Sequence, residues 1–286
     1  MIKVVEFKEG VKLSGYIAGM PDSYYHTTEG FISKSSLSVL KESPFKFFNQ
    51  KKRAPTKAMQ IGTAIHCAIL EPEKFQEQYI LMPNIKTKAS KEYKDLVKEN
   101  PSKEILTGKD AVNLDGMMSA IDSNDEAKRL LSLDGWCEVS GFHIDPETGV
   151  KLRHRFDKLT KCGIGIDLKK TQSVSPEELS KTIYKYGYDM QDSLYSDAYE
   201  VISGKPLKAF YFIFIEEEYP HEIAVASLDD VSKYIGRDQY QNLLIDYSYY
   251  TANPEMANNN APMQTISLPE WALRKYENEL EDGGIY

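Results

Sequence analysis

The sequence predicts an α/β fold, a central mixed β-sheet flanked by helices on both sides. Three patterns carry that prediction. Apolar residues recur at helical spacing from Ser35 to about residue 132. From Trp136 to Lys169 the pattern changes to period-two alternation broken by two short turns. Beyond that, helical segments enclose Ala209–Ile215, the longest wholly apolar run at seven residues, which marks a strand covered on both faces.

Residues 1–30, rich in Tyr and Gly, read as a strand-poor arm. Ser35–Phe48 gives a short helix and, with Pro44 near its middle, a second helical turn. Met59–Leu70 is apolar with a 3.6-residue period, stops at Glu71-Pro72 and holds His66, as a buried helix would. Ser90 caps a helix that ends before Pro101, Thr107 starts the next, and a short one covers about 124–132. Trp136–Ile144 and Val150–Lys158 alternate and are joined by Asp145-Pro-Glu-Thr-Gly149, whose Pro and Gly suit a turn. Ile164–Lys169 is the third strand of this meander. Ser175-Pro-Glu-Glu178 supplies a cap, a first-turn Pro and acidic residues at a helix start. Helices therefore follow over 176–186 and 188–202, divided at Gly187. Leu207–Glu216 is a long aromatic strand expected near the sheet's centre, His221–Ser227 pairs with it, and 229–250 and 269–281 are helical. The chain then divides into an arm (1–30), a core (31–228) and a helical, acidic segment packed on the core (229–286).

At 286 residues, with 41% hydrophobic and 27% charged side chains, the chain has the composition of a folded globular protein. No apolar run approaches the roughly 20 residues of a membrane helix, and Met1–Glu9 lacks a secretory apolar stretch, so no membrane association is expected. Cys67, Cys137 and Cys162 are too few and too scattered for a disulfide framework or a Cys-x-x-Cys metal knuckle, and they fit a reducing cytoplasm. The net charge of −8 is uneven. Residues 1–60 hold ten Lys/Arg against five Asp/Glu, whereas residues 216–286 hold four against fourteen. The acidic total argues against indiscriminate coating of nucleic acid and places a phosphate-binding surface in the N-terminal part and the middle.

Chemistry concentrates in the meander. Alternation puts Asp167 and Lys169 on one face of the third strand, with Leu168 turned to the core. Asp157 is expected at the end of the preceding strand, alongside them. Two carboxylates and an amine at neighbouring strand ends suit a hard divalent cation and attack of water on phosphorus. Arg153 and Arg155 point the same way from the strand leading to Asp157, and paired guanidinium groups suit phosphate oxygens. Gln191 and Tyr195, four residues apart, share a helix face. His66 offers a ring nitrogen. Plainer readings stand beside these. A histidine on an apolar helix is usually a core residue, the tyrosines at 184, 186, 188, 195 and 199 form an aromatic stripe, strand arginines blunt an edge, and Glu138, which faces the sheet, reads as structural ahead of assisting the site.

Four segments in order change the balance: Gly62-Thr-Ala-Ile-His66 with Leu70-Glu-Pro72, Arg153-His-Arg-Phe-Asp157, Ile166-Asp-Leu-Lys169-Lys-Thr171, and Tyr188-Asp-Met-Gln191-Asp-Ser-Leu-Tyr195. Together, over about Ser35 to Glu200, they resemble the PD-(D/E)xK nuclease superfamily. Within it they resemble the RecE type (exonuclease VIII) and, more distantly, lambda exonuclease. One departure is Phe156, where the superfamily's name has Pro. The resemblance implies a restriction-endonuclease-like core. It implies that His66, Asp157, Asp167 and the Leu168 carbonyl hold Mg²⁺, with Mn²⁺ as substitute, and that Asp157, Asp167, Lys169 and Gln191 are catalytic. Tyr195 joins Arg153 and Arg155 on the DNA, and Lys34, Ser36, Lys41 and Lys46 are candidates for gripping a 5′-phosphate. It also implies an Mg²⁺-dependent 5′-to-3′ exonuclease on ends of linear double-stranded DNA. Such an enzyme leaves 3′ single-stranded tails for a RecT-like single-strand annealing protein in phage-type recombination. A homo-oligomeric ring, trimer or tetramer, and a cytoplasmic protein encoded by a phage or prophage complete the implication. The alternatives are a PD-(D/E)xK endonuclease and an inactive DNA-binding module on the same fold. No sequence-reading element supports the first, and the intact Asp157, Asp167 and Lys169 speak against the second. Three cysteines exclude the four-cysteine iron–sulfur nucleases of the superfamily.

Overall fold

The three meander strands form where the sequence places them, and the rest of the chain is arranged around them. The computed structural model describes residues 2–51, 56–260 and 263–282. It begins with β1 (Val4–Glu6), β2 (Gly15–Ala18), α1 (Asp22–Thr27), α2 (Lys34–Glu42), α3 (Pro44–Asn49), α4 (Lys57–Leu70) and α5 (Pro72–Gln78). Next are β3 (Tyr79–Met82), α6 (Lys91–Glu99), β4 (Glu104–Thr107), α7 (Gly108–Ser123) and α8 (Asp125–Leu131). The meander is β5 (Gly135–Ile144), β6 (Lys151–Thr160) and β7 (Ile164–Thr171). The chain continues through α9 (Pro176–Tyr186), α10 (Tyr188–Ser203), β8 (Ala209–Glu216), β9 (Ile223–Ala226), α11 (Asp230–Ala252) and α12 (Glu270–Asp282).

Seven strands form one mixed sheet in the order β1-β2-β5-β6-β7-β8-β9, with β1/β2 and β7/β8 parallel and the other neighbours antiparallel. The α/β class with helices on both faces is therefore observed. Three details differ from the sequence expectation. Residues 1–30 are not strand-poor: β1 and β2 extend the sheet, and Tyr16 and Ile17 on β2 are buried. Strands of three and four residues set among Gly-rich turns are too short to show a period. The aromatic strand β8 is interior but second from the edge, beside the short β9. β3 and β4 make a separate two-stranded parallel sheet that the sequence did not announce.

The apolar run in β8 serves two cores. Phe210, Phe212 and Phe214 pack on one face with Leu40 of α2, Leu194 of α10 and Leu244 of α11. Ile213 and Ile215 pack on the other with Ile65 of α4, Leu114 of α7 and Leu130 of α8, joined by Ile166 and Leu168 of β7. α11 thus belongs to the same core as the sheet, while α12 exposes Trp271, Leu273 and Tyr276. Where α10 crosses α11 there is no room for a side chain, since a Cβ at Gly236 would lie 2.2 Å from the Asp189 carbonyl oxygen. Gly187, at φ 64°, ends α9 in the left-handed conformation open to glycine and begins α10, which sets Tyr188 and Gln191 on its first turn.

One irregularity in the sheet shapes the site. β5 and β6 keep a single register from Gly135↔Thr160 to Ile144↔Lys151, and Glu138 opposite Asp157 is the one pair left out. Glu138 has φ 49°, in the left-handed region that a non-glycine residue rarely adopts. Alternation reverses across this point: Val139 packs in the core with Phe156, whereas Cys137 packs against the opposite core. β6 and β7 pair only at Lys158↔Ile166 and Leu159↔Gly165, and then separate. The Asp157 side chain fills the opening and accepts a hydrogen bond from the Leu168 N–H at 2.7 Å.

Candidate active site

The gap between β6 and β7 opens into a cleft of about 780 Å³ lined by His66, Glu138, Asp157, Asp167, Lys169 and Gln191, among others. The carboxylates do not sit at strand ends as expected. β6 runs three residues past Asp157 and β7 two past Lys169, and the site lies where pairing stops inside the strands. Asp167 and Lys169 share a face of β7 and form an ion pair, and Leu168 between them is buried in the opposite core. Gln191 donates from Nε2 to Asp167 Oδ1 at 2.5 Å, and the Lys169 ammonium lies 5.0 Å from the centre of the Tyr188 ring. Across the cleft, α4 presents His66. Its Nδ1 stands 3.4 Å from Asp157 Oδ2 and 3.9 Å from Glu138 Oε1, and its Nε2 stands 3.1 Å from the Leu168 carbonyl oxygen. α4 is held in place by the Thr56 cap on Met59 N–H and by Ile61, Ala64 and Ile65 in the core.

Burial and charge pull these groups apart. Burial opposes an imidazolium at His66, but Asp157 and Glu138 overcome it and raise the ring to about 10. Burial works against ionised Asp157 as well, and His66, Lys169 and the Leu168 N–H together hold its carboxyl below the ordinary aspartate value. Burial first, and then the Asp157 charge, push Asp167 up to about 6 against the pull of Lys169. Lys169 is buried yet raised above the ordinary lysine range, because Asp167 and Asp157 outweigh the desolvation. The ammonium thus gains from this pairing while the Asp167 carboxylate, which also meets Asp157, is net strained.

The donor set fits a divalent cation. Ligand atoms of His66, Glu138 and Asp157 lie within 4.8 Å of one another, the Leu168 carbonyl is adjacent, and imidazole with carboxylates suits Mn²⁺ as well as Mg²⁺. Asp167 adds a buried carboxylate to the same cleft, its Oδ2 paired with the Lys169 ammonium. The cationic imidazole already supplies positive charge at this point, and it would have to give up a proton to ligate a metal.

The profile of the family described as a PDDEXK-like domain of unknown function (DUF3799) matches residues 33–257. The chain belongs to this family. A crystal structure from Eubacterium rectale, of a protein described as a "putative exonuclease", is similar in fold at a TM-score of 0.59. It is 13% identical, and the alignment covers 89% of this chain and 97% of that one. A second structure, SSO0001, aligns at a TM-score of 0.29 and 12% identity over 85% of this chain and 100% of that one. No curated protein matches.

In this PDDEXK-like chain every principal residue expected from the sequence lines the one cleft except Leu168, whose carbonyl nevertheless meets His66. The roles are uneven. Arg153 and Arg155 do point the same way, and both guanidinium groups lie over Tyr25, at 5.1 and 4.2 Å. Both also donate to the N-terminal segment, Arg153 to the carbonyls of Tyr25 and Thr28 and Arg155 to Asp22 and the Met20 carbonyl, while Arg155 Nε donates to Ser140 of β5. Tyr195 is mostly core, its ring against His154, Phe156 and Phe210, although it borders the cleft. Of the lysines and serine considered for a 5′-phosphate, Lys34 reaches the cleft, where it donates to the Tyr186 carbonyl. Burial and Lys169 lower its amine to about 8. Lys41 bonds Gln239, Lys46 pairs with Glu42 at the surface, and the Ser36 hydroxyl meets Ser33. Sequence reasoning rated a structural role higher for Glu138 and placed Tyr188 in the aromatic stripe, and both line the cleft. The signal for Tyr188 was its place three residues before Gln191 on the same helix face.

Proposed function

We propose that this chain is a metal-dependent nuclease that hydrolyses phosphodiester bonds in DNA. The observation that carries the reading is the convergence of Asp157, Asp167 and Lys169 with His66 and Gln191 on one cleft. Membership of a PDDEXK-like family supports a nuclease. A divalent cation, when bound, supplies Lewis-acid stabilisation of phosphate charge and an acidified water. His66, Asp157, Asp167 and the Leu168 carbonyl would hold it. The chain's own groups orient the rest. Gln191 fixes the Asp167 carboxylate, and Asp167 fixes the Lys169 ammonium over the Tyr188 ring. Raised above the ordinary lysine range, Lys169 carries its proton at neutral pH. It therefore serves by stabilising charge that develops on the phosphoryl oxygens and leaving group, an interaction strongest in the transition state. Arg153 and Arg155 hold α1 as a wall of the cleft, and Lys34 is the lysine best placed to meet a backbone phosphate.

The finer reading follows from the resemblance to the RecE type. The substrate is the end of linear duplex DNA, one strand is digested 5′-to-3′ with Mg²⁺ or Mn²⁺, and the chain works as a trimeric or tetrameric ring beside a single-strand annealing protein. The test is incubation of end-labelled linear duplex and closed circular duplex with Mg²⁺ and with a chelator. Release of label from linear DNA alone supports an exonuclease. Nicking of the circle refutes that and leaves an endonuclease, and retention of both DNAs uncut refutes the nuclease reading. Full activity in chelator refutes the metal requirement.

A further inference from the structure

We propose that Glu138 is a ligand of the divalent cation, binding it together with His66 and Asp157; this rests on the metal-dependent reading above. Glu138 occupies the left-handed region at φ 49°, in the middle of β5 and not in a turn. A side chain held there is strained by about 1–3 kcal/mol, and such strain persists where the surroundings fix it. The strained residue is also the one member of β5 left out of an otherwise continuous pairing with β6, and the residue opposite it is Asp157.

The consequence is directional. Ordinary alternation would keep Cys137 and Val139 on one face, but they enter different cores, and the Glu138 carboxylate is turned to the cleft and to His66. If the purpose were only to switch faces, glycine would adopt the same backbone without strain. The presence of glutamate means that the carboxylate is used. Among the described residues its one charged partner within 4 Å is His66, at 3.9 Å, too long for a strong pair. The His66, Glu138 and Asp157 ligand atoms already lie within 4.8 Å of one another.

The experiment is calorimetric titration of the full chain with Mn²⁺, with melting curves in chelator and in Mn²⁺, for wild type, Glu138→Gln and Glu138→Gly. Both variants should bind Mn²⁺ roughly 10–100-fold more weakly and lose most of the Mn²⁺-dependent rise in melting temperature. Glu138→Gly should melt in chelator at or above wild type, because the backbone strain is relieved. Glu138→Gln keeps the volume and the strained backbone, so it decides the matter if the glycine variant folds poorly. Wild-type Mn²⁺ affinity in Glu138→Gln overturns the proposal. Absence of Mn²⁺ binding by wild type instead overturns the metal-dependent reading itself.

Discussion

Replacing Asp167 by Asn should stabilise the metal-free chain at neutral pH while removing turnover. Asp167 is 2% exposed, accepts from Gln191 at 2.5 Å and shares the cleft with the Asp157 carboxylate. Burial, and then Asp157, carry its carboxyl from 3.8 to about 6. The unfolded chain releases this proton at the ordinary value. The folded chain therefore binds the extra proton between the two values and loses stability as pH rises through that window. At about 1.4 kcal/mol per tenfold, the penalty grows from under ~1 kcal/mol at about pH 4 to roughly 3 kcal/mol above about pH 7. Asn imitates the protonated acid in shape and neutrality and its Oδ1 still accepts from Gln191, while its Nδ2 replaces the oxygen paired with Lys169 and takes back part of the gain. The shifted value already contains the attraction of Lys169, which keeps Asp157 as a neighbouring anion, so the variant gains on balance. For a chain of this size roughly 3 kcal/mol corresponds to a rise of about 5 °C or more in melting temperature. Melting curves in chelator across this pH range, beside rates in Mg²⁺, provide the assay. A variant that melts at or below wild type at about pH 8, or a difference that does not widen with pH, refutes the reasoning.

Lys169→Ala should lower turnover about 10²–10⁴-fold with Mn²⁺ affinity kept within a few-fold, as rates and calorimetry measure; added metal should not restore the rate. Gly236→Ala should destabilise the chain by about 1–3 kcal/mol in urea melts, because the new Cβ meets the Asp189 carbonyl at 2.2 Å. It should also depress turnover, since the displaced first turn of α10 carries Gln191. His154→Phe should raise stability by roughly 1–3 kcal/mol. His154 is 1% exposed, neither ring nitrogen has a partner, and its neighbours include the rings of Tyr16, Phe156 and Tyr195. An unchanged or lower urea midpoint for His154→Phe would mean that the imidazole is satisfied.

Legibility followed the range of the forces involved. The meander, its Asp145–Gly149 turn, the cap at Ser175 and the break at Gly187 were all readable, because each rests on neighbours in sequence. The shared face of Asp167 and Lys169 was readable from alternation for the same reason. The fault at Glu138 was not. It reverses alternation, so any period-two argument across it assigns Cys137 and Val139 to the wrong relation. The arginines show the opposite limit: their common direction was right, but a strand pattern does not reveal that Tyr25, Asp22 and the α1 carbonyls take up their donors.

By itself, then, the sequence determined the α/β class, the order of its longer elements and the residue types of a cation and phosphate site. Periodicity, caps and ordered motifs are local properties of a chain. Only the tertiary structure decided that β1 and β2 close one side of the sheet, that β6 and β7 part at Asp157, and that His66 meets Leu168 across 102 residues of chain. It also decided the charge states, with His66 raised to about 10 and Asp167 to about 6. Those states depend on which charges burial brings together at a few ångströms and on how little water remains to screen them, quantities that no local pattern encodes.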